Sequence, residues 1–320
     1  MLARLLLKAI GLLLILTSIA LALSRAPDLP AEALVARWAP PPSDFVEVRG
    51  QVVHLRDEGP PEDPLPIVLL HGTSASLHTW EGWAAALRAQ RRVITLDLPG
   101  FGLTGPFAGQ YPPDDYSGDS YARFVVDVLD RLRVGRVVLG GNSLGGEIAW
   151  RVALLAPERV HALVLVDAAG PVFRPEQMPA AWTLARVPVL NRMLEWVLPR
   201  GLVAQGLESV YGDPGKVTPE LVDRYFELTL REGNRRALVQ RLQHWQPGED
   251  ADRIDGVRQP TLILWGGRDR LIPPKVGEEF ERRIAGSRRV VFPELGHVPQ
   301  EEDPAQTVAV VRDWLAGLPR

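Results

Sequence analysis

Two rhythms of apolar and polar positions run through most of the chain. Short apolar runs at residues 45–48, 52–55, 66–70, 93–96, 137–139, 163–166, 261–265 and 290–292 have the length and composition of strands. Between them the apolar positions recur at helical spacing, as at Tyr121, Phe124, Val125, Val128 and Leu132, where Asp119 or Ser120 is the expected cap. Trp83 and Leu87 lie in another helical stretch, and a helix is expected from about Leu144 to Leu155. The first two runs are separated by Arg49-Gly50-Gln51, a hairpin signal. Strands alternating with helices predict an α/β fold, a mostly parallel central sheet with helices on both faces. The opening hairpin predicts antiparallel strands at one edge.

The alternation stops between about residues 171 and 248. Trp182, Leu184, Val187, Leu190, Met193, Leu194 and Val197 form one helical pattern. Leu221, Tyr225 and Leu228 form a second, and Leu238, Leu242 and Trp245 a third. A helical insertion in such a sheet is expected to act as a lid over the carboxyl edge of the strands. The alternative is a second packing layer with no such role.

The amino-terminal stretch has a different pattern. Residues 9–23 carry no charge and follow Arg4 and Lys8, the layout of a secretory signal or an uncleaved anchor. The expectation is a membrane anchor or signal segment at 1–24 and a Pro- and Ala-rich linker at 25–42. An α/β core at 43–170 and 249–320 then brackets the lid at 171–248. An anchor would attach the protein to a membrane, with the α/β core on the extracytoplasmic side. Cleavage would instead secrete it.

Composition narrows the chemistry. The chain has 320 residues, a net charge of -3 and no cysteine. The absence of cysteine excludes zinc–thiolate sites, iron–sulfur clusters and cysteine nucleophiles. With 36 basic against 39 acidic residues there is no positive excess to attract nucleic acid. A length of 320 residues suffices for a large hydrophobic core without a disulfide or metal staple.

The candidate chemistry sits in four loops at strand ends. Gly141-Asn142-Ser143-Leu144-Gly145 follows a strand and opens a helix, the context a G-x-S-x-G nucleophile turn requires. A neutral serine needs a base, and His297 in Gly296-His297-Val298 follows the last strand. A carboxylate must then orient the imidazole. Asp269, after Gly266-Gly267-Arg268, is the first choice, and Asp167, which also ends a strand, is its competitor. Backbone N–H groups must meet the negative charge that develops on a carbonyl oxygen. Leu144, just after the serine, and Thr73, in the loop after His71-Gly72, are the candidates. His71 is expected to hold its loop, His54 to be exposed or at an edge, and His78 and His244 to be solvated or in the lid. Gly100-Phe101-Gly102-Leu103-Thr104-Gly105 matches a dinucleotide fingerprint, but Pro106 follows where a helix must open. Nicotinamide and flavin are therefore not expected.

His71-Gly72, Asp97-Leu98-Pro99-Gly100-Phe101-Gly102, Gly141-Asn142-Ser143-Leu144-Gly145-Gly146, Gly266-Gly267-Arg268-Asp269 and Gly296-His297 together resemble the α/β-hydrolase superfamily. The resemblance runs from about residue 45 to 318. It implies a lidded serine hydrolase that needs no cofactor and acts on a small-molecule substrate. Ser143 at the turn sets the chain apart from the dehalogenase and epoxide hydrolase branches, which place Asp there. The Gly-Asn-Ser-Leu-Gly-Gly turn is similar to that of meta-cleavage-product C–C hydrolases. Those carry a Gly-rich segment where this chain has Thr73-Ser74-Ala75-Ser76. Trp182, Trp196 and Trp245 in the lid point to hydrophobic acyl esters, and Arg235 or Arg236 offers a contact for an acidic substrate group. A carboxylic-ester hydrolase is the first expectation. A C–C bond hydrolase is the second, and a non-catalytic binding protein on the same fold is the third.

Overall fold

Strands of this chain can be buried on both faces, and their alternation shows how. In β3 (Ile67–Leu70), Ile67 and Leu69 enter one apolar layer, while Val68 and Leu70 enter the other. The computed structural model describes residues 2–187, 191–192 and 196–318. Its sheet has eight strands: β1 (Ser43–Val48), β2 (Gln51–Glu58), β3, β4 (Val93–Leu96), β5 (Val137–Asn142), β6 (Val160–Val166), β7 (Thr261–Gly266) and β8 (Arg288–Phe292). Their order is β1-β2-β4-β3-β5-β6-β7-β8. The β1–β2 and β2–β4 pairs are antiparallel, and every pair from β4 to β8 is parallel.

Helices cover both faces. α1 (Leu2–Leu23) and α2 (Ala31–Trp38) precede the sheet, and α3 (Glu81–Leu87) follows β3. α4 (Gly118–Arg131) follows β4, and α5 (Leu144–Leu155) follows β5. α6 (Ala180–Ala185), α7 (Arg200–Val210), α8 (Pro219–Thr229) and α9 (Asn234–His244) lie between β6 and β7. α10 (Lys275–Arg283), α11 (Pro299–Glu302) and α12 (Pro304–Ala316) complete the chain. α4, α5 and α10 supply Phe124, Ile148 and Phe280 to one layer. α3 and α12 supply Trp83, Leu87, Val308 and Val311 to the other. Each such side chain contributes about 1.5–3 kcal/mol when fully buried. Trp83 also donates its indole N–H to Thr307 Oγ1 at 2.9 Å, so its polar edge is satisfied.

The chain runs from β3 to its neighbour β4 on one side and then crosses back, through α4, to β5 on the other side of β3. At such a switch point the loops leaving the carboxyl ends diverge and open a crevice. The loops after β3 and β5 carry Thr73 and Ser143, and those after β6, β7 and β8 carry Asp167, Asp269 and His297.

Four local expectations change. Ser117, not Asp119 or Ser120, caps α4, accepting the Ser120 N–H at 3.3 Å. Segment 25–42, expected as a tether, carries α2, because Leu34, Val35 and Trp38 share one helical face. Leu34 is buried against Leu103 and Leu228, and Trp38 donates to Glu227 at 2.7 Å. Of the helical pattern expected from Trp182 to Val197, only Trp182 and Leu184 lie in α6; Val187 follows its end, and Val197 forms a bridge with Arg25. Leu190, Met193 and Leu194 lie outside the described residues.

The fourth change concerns the amino terminus. Among the described residues no helix is long and apolar enough to cross a membrane. The membrane anchor, and the localisation drawn from it, are therefore corrected. The uncharged stretch 9–23 would reach only about 22 Å at 1.5 Å per residue, against about 30 Å of bilayer hydrocarbon.

Candidate active site

The strand-to-helix turn after β5 forces Ser143 into a conformation that a side chain normally avoids. Its φ is 56° and its ψ -115°. Such a residue stores roughly 1–3 kcal/mol of strain and persists only when its surroundings hold it. Ser143 N–H donates to Val166 O at 3.0 Å, and Ser143 O accepts from Glu147 N–H at 3.0 Å and Ala169 N–H at 3.1 Å. The glycines of the turn allow the close approach. A Cβ on Gly145 would stand 2.1 Å from Leu70 O, and one on Gly141 2.1 Å from Gly145 O.

His297 and Asp269 meet across the ends of β7 and β8. His297 Nδ1 and Asp269 Oδ2 are 2.7 Å apart, both side chains almost fully buried. Asp269 Oδ1 accepts the Leu271 and Ile272 N–H groups at 2.8 and 2.9 Å. Every acceptor direction of Asp269 but one is thus assigned, and its rotamer is fixed. Nε2 is the ring atom left to face the crevice. His297 N–H donates to Val210 O at 2.7 Å, tying the histidine loop to the end of α7.

Ser143 and His297 both line a cavity of about 120 Å³. Among the described residues no hydrogen bond joins Ser143 Oγ to His297, a looseness common in unliganded sites. The rest of the wall is largely apolar, including Trp182, Leu202, Leu207 and Leu238. Leu144 opens α5, so its N–H has no intrahelical acceptor. Thr73 and Leu144 both flank Ser143 in a small adjoining pocket. A Cβ on Gly72 would stand 3.1 Å from Ser143 Cβ, which fixes how near the β3 loop comes. Beyond that pocket, past the buried Glu147–Arg241 ion pair (2.8 Å), lies a polar groove of about 650 Å³.

Asp167 was the competing carboxylate, and it sits in the same cluster. One donor atom each from Asp167, Asp269 and His297 lies within 4.8 Å of the other two. Ligands of one ion at about 2.1 Å stand about 3 Å or more apart, so the 2.7 Å contact is a hydrogen bond. Asp167 Oδ1 accepts the Gly266 N–H at 2.9 Å. Burial and then the charge of Asp269 push its carboxyl well above the usual carboxylate range.

Three other expectations are corrected. His54 is fully buried, its ring stacked on that of Phe45 across the β1–β2 pair, and it bonds Asp97 at 2.7 Å. His78 is buried too, between Ser76 Oγ at 2.9 Å and Trp38 O at 2.8 Å. Arg235 pairs with Asp28 at 2.6 Å, whereas Arg236 is exposed. His71 does hold its loop, accepting the Leu98 N–H on Nε2 at 2.9 Å. Trp182 lines the cavity and Trp245 the small pocket, while Trp196 is exposed. The side chain of His244 lies outside the described residues.

Sequence reasoning missed two supports. Asn142 Nδ2 donates to His297 O at 2.9 Å and to Val166 O at 3.1 Å. Glu302 accepts from Gly296, Gly212 and Asp213 N–H at 2.8–2.9 Å. Asn142 stood beside the serine in the motif, but no sequence signal linked Glu302 to Gly212.

A mostly parallel sheet that sets a serine on a strained strand-to-helix turn, opposite a buried aspartate–histidine pair, has the build of a hydrolase. The chain belongs to the α/β-hydrolase fold family, which it matches over residues 66–304. It is 30% identical over 263 residues to the 2-hydroxy-6-oxo-2,4-heptadienoate hydrolase of Pseudomonas putida, covering 78% of this chain and 89% of that one. It is 30% identical over 266 residues to the dihydrolipoyllysine-residue acetyltransferase component of the acetoin cleaving system of Pseudomonas putida. That match takes in 82% of this chain and 66% of the relative. Among solved structures it is similar to a membrane phospholipase A described as a bacterial virulence factor. The TM-score is 0.69 and the identity 26%, over 99% of this chain and 96% of that one.

Proposed function

We propose that this hydrolase cleaves carboxylic esters of hydrophobic acyl groups through an acyl-enzyme. Ser143 Oγ attacks the acyl carbon while His297 Nε2 takes its proton. Asp269 holds the imidazole in the tautomer with hydrogen on Nδ1 and stabilises the imidazolium that forms. The Thr73 and Leu144 N–H groups receive the oxyanion, each worth about 3 kcal/mol of transition-state stabilisation. His297 then protonates the leaving alcohol and later activates the water that releases the acid. Residues 171–248 act as a lid on the core formed by 43–170 and 249–320.

The observation that carries this reading is the apolar cavity shared by Ser143 and His297. An acyl chain fits that wall, and the polar groove beyond Glu147–Arg241 suits a polar alcohol. The likeness to a phospholipase A supports ester cleavage and brings lipid acyl esters among the candidate substrates. The test is turnover of p-nitrophenyl acyl esters by the wild type and by Ser143→Ala. Loss of turnover in a folded variant is expected, and undiminished turnover would refute the mechanism.

A second reading has its own support, the 30% identity to a hydrolase of 2-hydroxy-6-oxo-2,4-heptadienoate. On that reading the same three residues break a C–C bond. A vinylogous 1,5-diketone assayed beside simple esters separates the two. A kcat/KM higher for the diketone would favour C–C cleavage.

A further inference from the structure

Asp167 is a buried acid that the mechanism above does not use. It directly follows β6 with φ 43°, in the left-handed region, which Asp and Asn tolerate better than most residues. Its side chain is fully buried. One oxygen is satisfied by the Gly266 N–H at the end of β7. The other, Oδ2, has no hydrogen-bond donor among the described residues. The titratable groups that face it are Asp269 from the β7 loop, His297 from the β8 loop and Glu302 from α11.

An ionised carboxylate in that position would carry an unsatisfied oxygen next to two further acids, Asp269 and Glu302. A neutral one removes the conflict, because its O–H becomes a donor and the adjacent carboxylate an acceptor. Asp269 has room for that bond. It accepts Leu271 and Ile272 N–H on one oxygen and His297 on the other, which is three of about four lone-pair directions.

We propose that Asp167 is a positioning residue of the active centre, a neutral carboxylic acid whose O–H donates to Asp269 and locks that carboxylate against His297. The pair then carries a single negative charge on the Asp269 side. The proton stays on Asp167 throughout turnover, and His297 alone exchanges a proton with substrate. The inference rests on the triad reading of Ser143, His297 and Asp269. It adds a fourth residue, acting through Asp269 and touching no substrate.

The charge of Asp167 decides the outcome of substitution. Asp167→Asn keeps a donor, the left-handed backbone and the net charge. Its kcat/KM for p-nitrophenyl butyrate should therefore keep the acid limb of the wild-type pH profile, within about threefold in magnitude. Asp167→Ala removes the donor, so Asp269 becomes more basic and holds the imidazolium more tightly. The acid limb should then move up by roughly half to one pH unit, lowering kcat/KM about three- to tenfold below it. The infrared C=O stretch of a protonated carboxyl should persist at about pH 8 in the wild type and vanish in Asp167→Asn, which decides the matter even if Asp167→Ala fails to fold. An acid limb that moves down by about one unit in Asp167→Asn would show that a second negative charge had been removed, and would overturn the proposal. So would the absence of the carboxyl band, or an Asp167→Ala profile matching the wild type. The triad reading fails separately, by retained turnover in Ser143→Ala.

Discussion

Asp269→Asn gives the sharpest test of how the candidate triad is wired. The substitution preserves shape but replaces one oxygen by an NH₂ group. The Leu271 and Ile272 N–H groups, at 2.8 and 2.9 Å, both need an acceptor, so the amide oxygen must take the Oδ1 position. The NH₂ group is then directed at His297 Nδ1, where a 2.7 Å contact now joins the ring to the carboxylate. Nδ1 is forced to accept, and the ring proton moves to Nε2. That tautomer has no lone pair for the Ser143 hydroxyl. A wrong tautomer at such a site costs about 10⁴-fold in kcat, which is about 5.5 kcal/mol of transition-state stabilisation. The assay is kcat and kcat/KM for a p-nitrophenyl ester across pH, with folding checked by thermal unfolding. Activity within tenfold of the wild type would refute the reasoning and would move the orienting role to Asp167, the other carboxylate in reach.

Other outcomes follow from the same geometry. Gly145→Ala places a methyl group 2.1 Å from the Leu70 carbonyl oxygen, and denaturant unfolding should show a loss of about 3 kcal/mol. Asp97→Ala leaves the fully buried His54 without its partner and the Leu77 and Leu103 N–H groups without an acceptor, a loss of about 3–5 kcal/mol at neutral pH. Burial alone would raise the Asp97 carboxyl, but His54, by charge and hydrogen bond, and then His71 and His78, hold it well below its ordinary value. Its stabilisation is therefore present above the unfolded pKa of about 4 and fades as pH falls below it, so the gap between wild type and variant should narrow in acid. Burial lowers His78 to about 4. The unfolded chain then takes up that proton more readily, and unfolding free energy should fall as pH drops from about 6.5 toward 4, less steeply in His78→Phe. Leu207→Trp should fill part of the cavity of about 120 Å³, cutting kcat/KM for a ten-carbon acyl ester at least about tenfold relative to a four-carbon one.

What could be read from the sequence shares one property. The strands, the turn at Ser143 and the loops of Asp269 and His297 are local, each marked by an apolar run and the glycines beside it. Position at the carboxyl ends of parallel strands then brings the loops together, although Ser143 and His297 are far apart in the chain. What could not be read depends on packing between distant segments. His54 reads as an edge residue along its strand. It is buried because Phe45, its partner on β1, stacks on its ring and because Asp97, on the neighbouring β4 side, reaches it. Asp167 and Asp269 read as rivals for one role, since nothing local says that both carboxyls meet at one histidine. Glu302 looks like an ordinary surface acid of a first helical turn, and only the return of residues 212–213 beside Gly296 makes it a clasp. At the amino terminus the apolar run was legible, but its length fell short of the span it was expected to make.

The central claim is that Ser143 is made reactive by His297. Exposing the folded protein to a fluorophosphonate and mapping the adduct by peptide mass spectrometry tests it directly. The account predicts stoichiometric modification of Ser143 and labelling at least about a hundredfold slower in His297→Ala. An unmodified Ser143, or equal labelling rates in the two proteins, would contradict it.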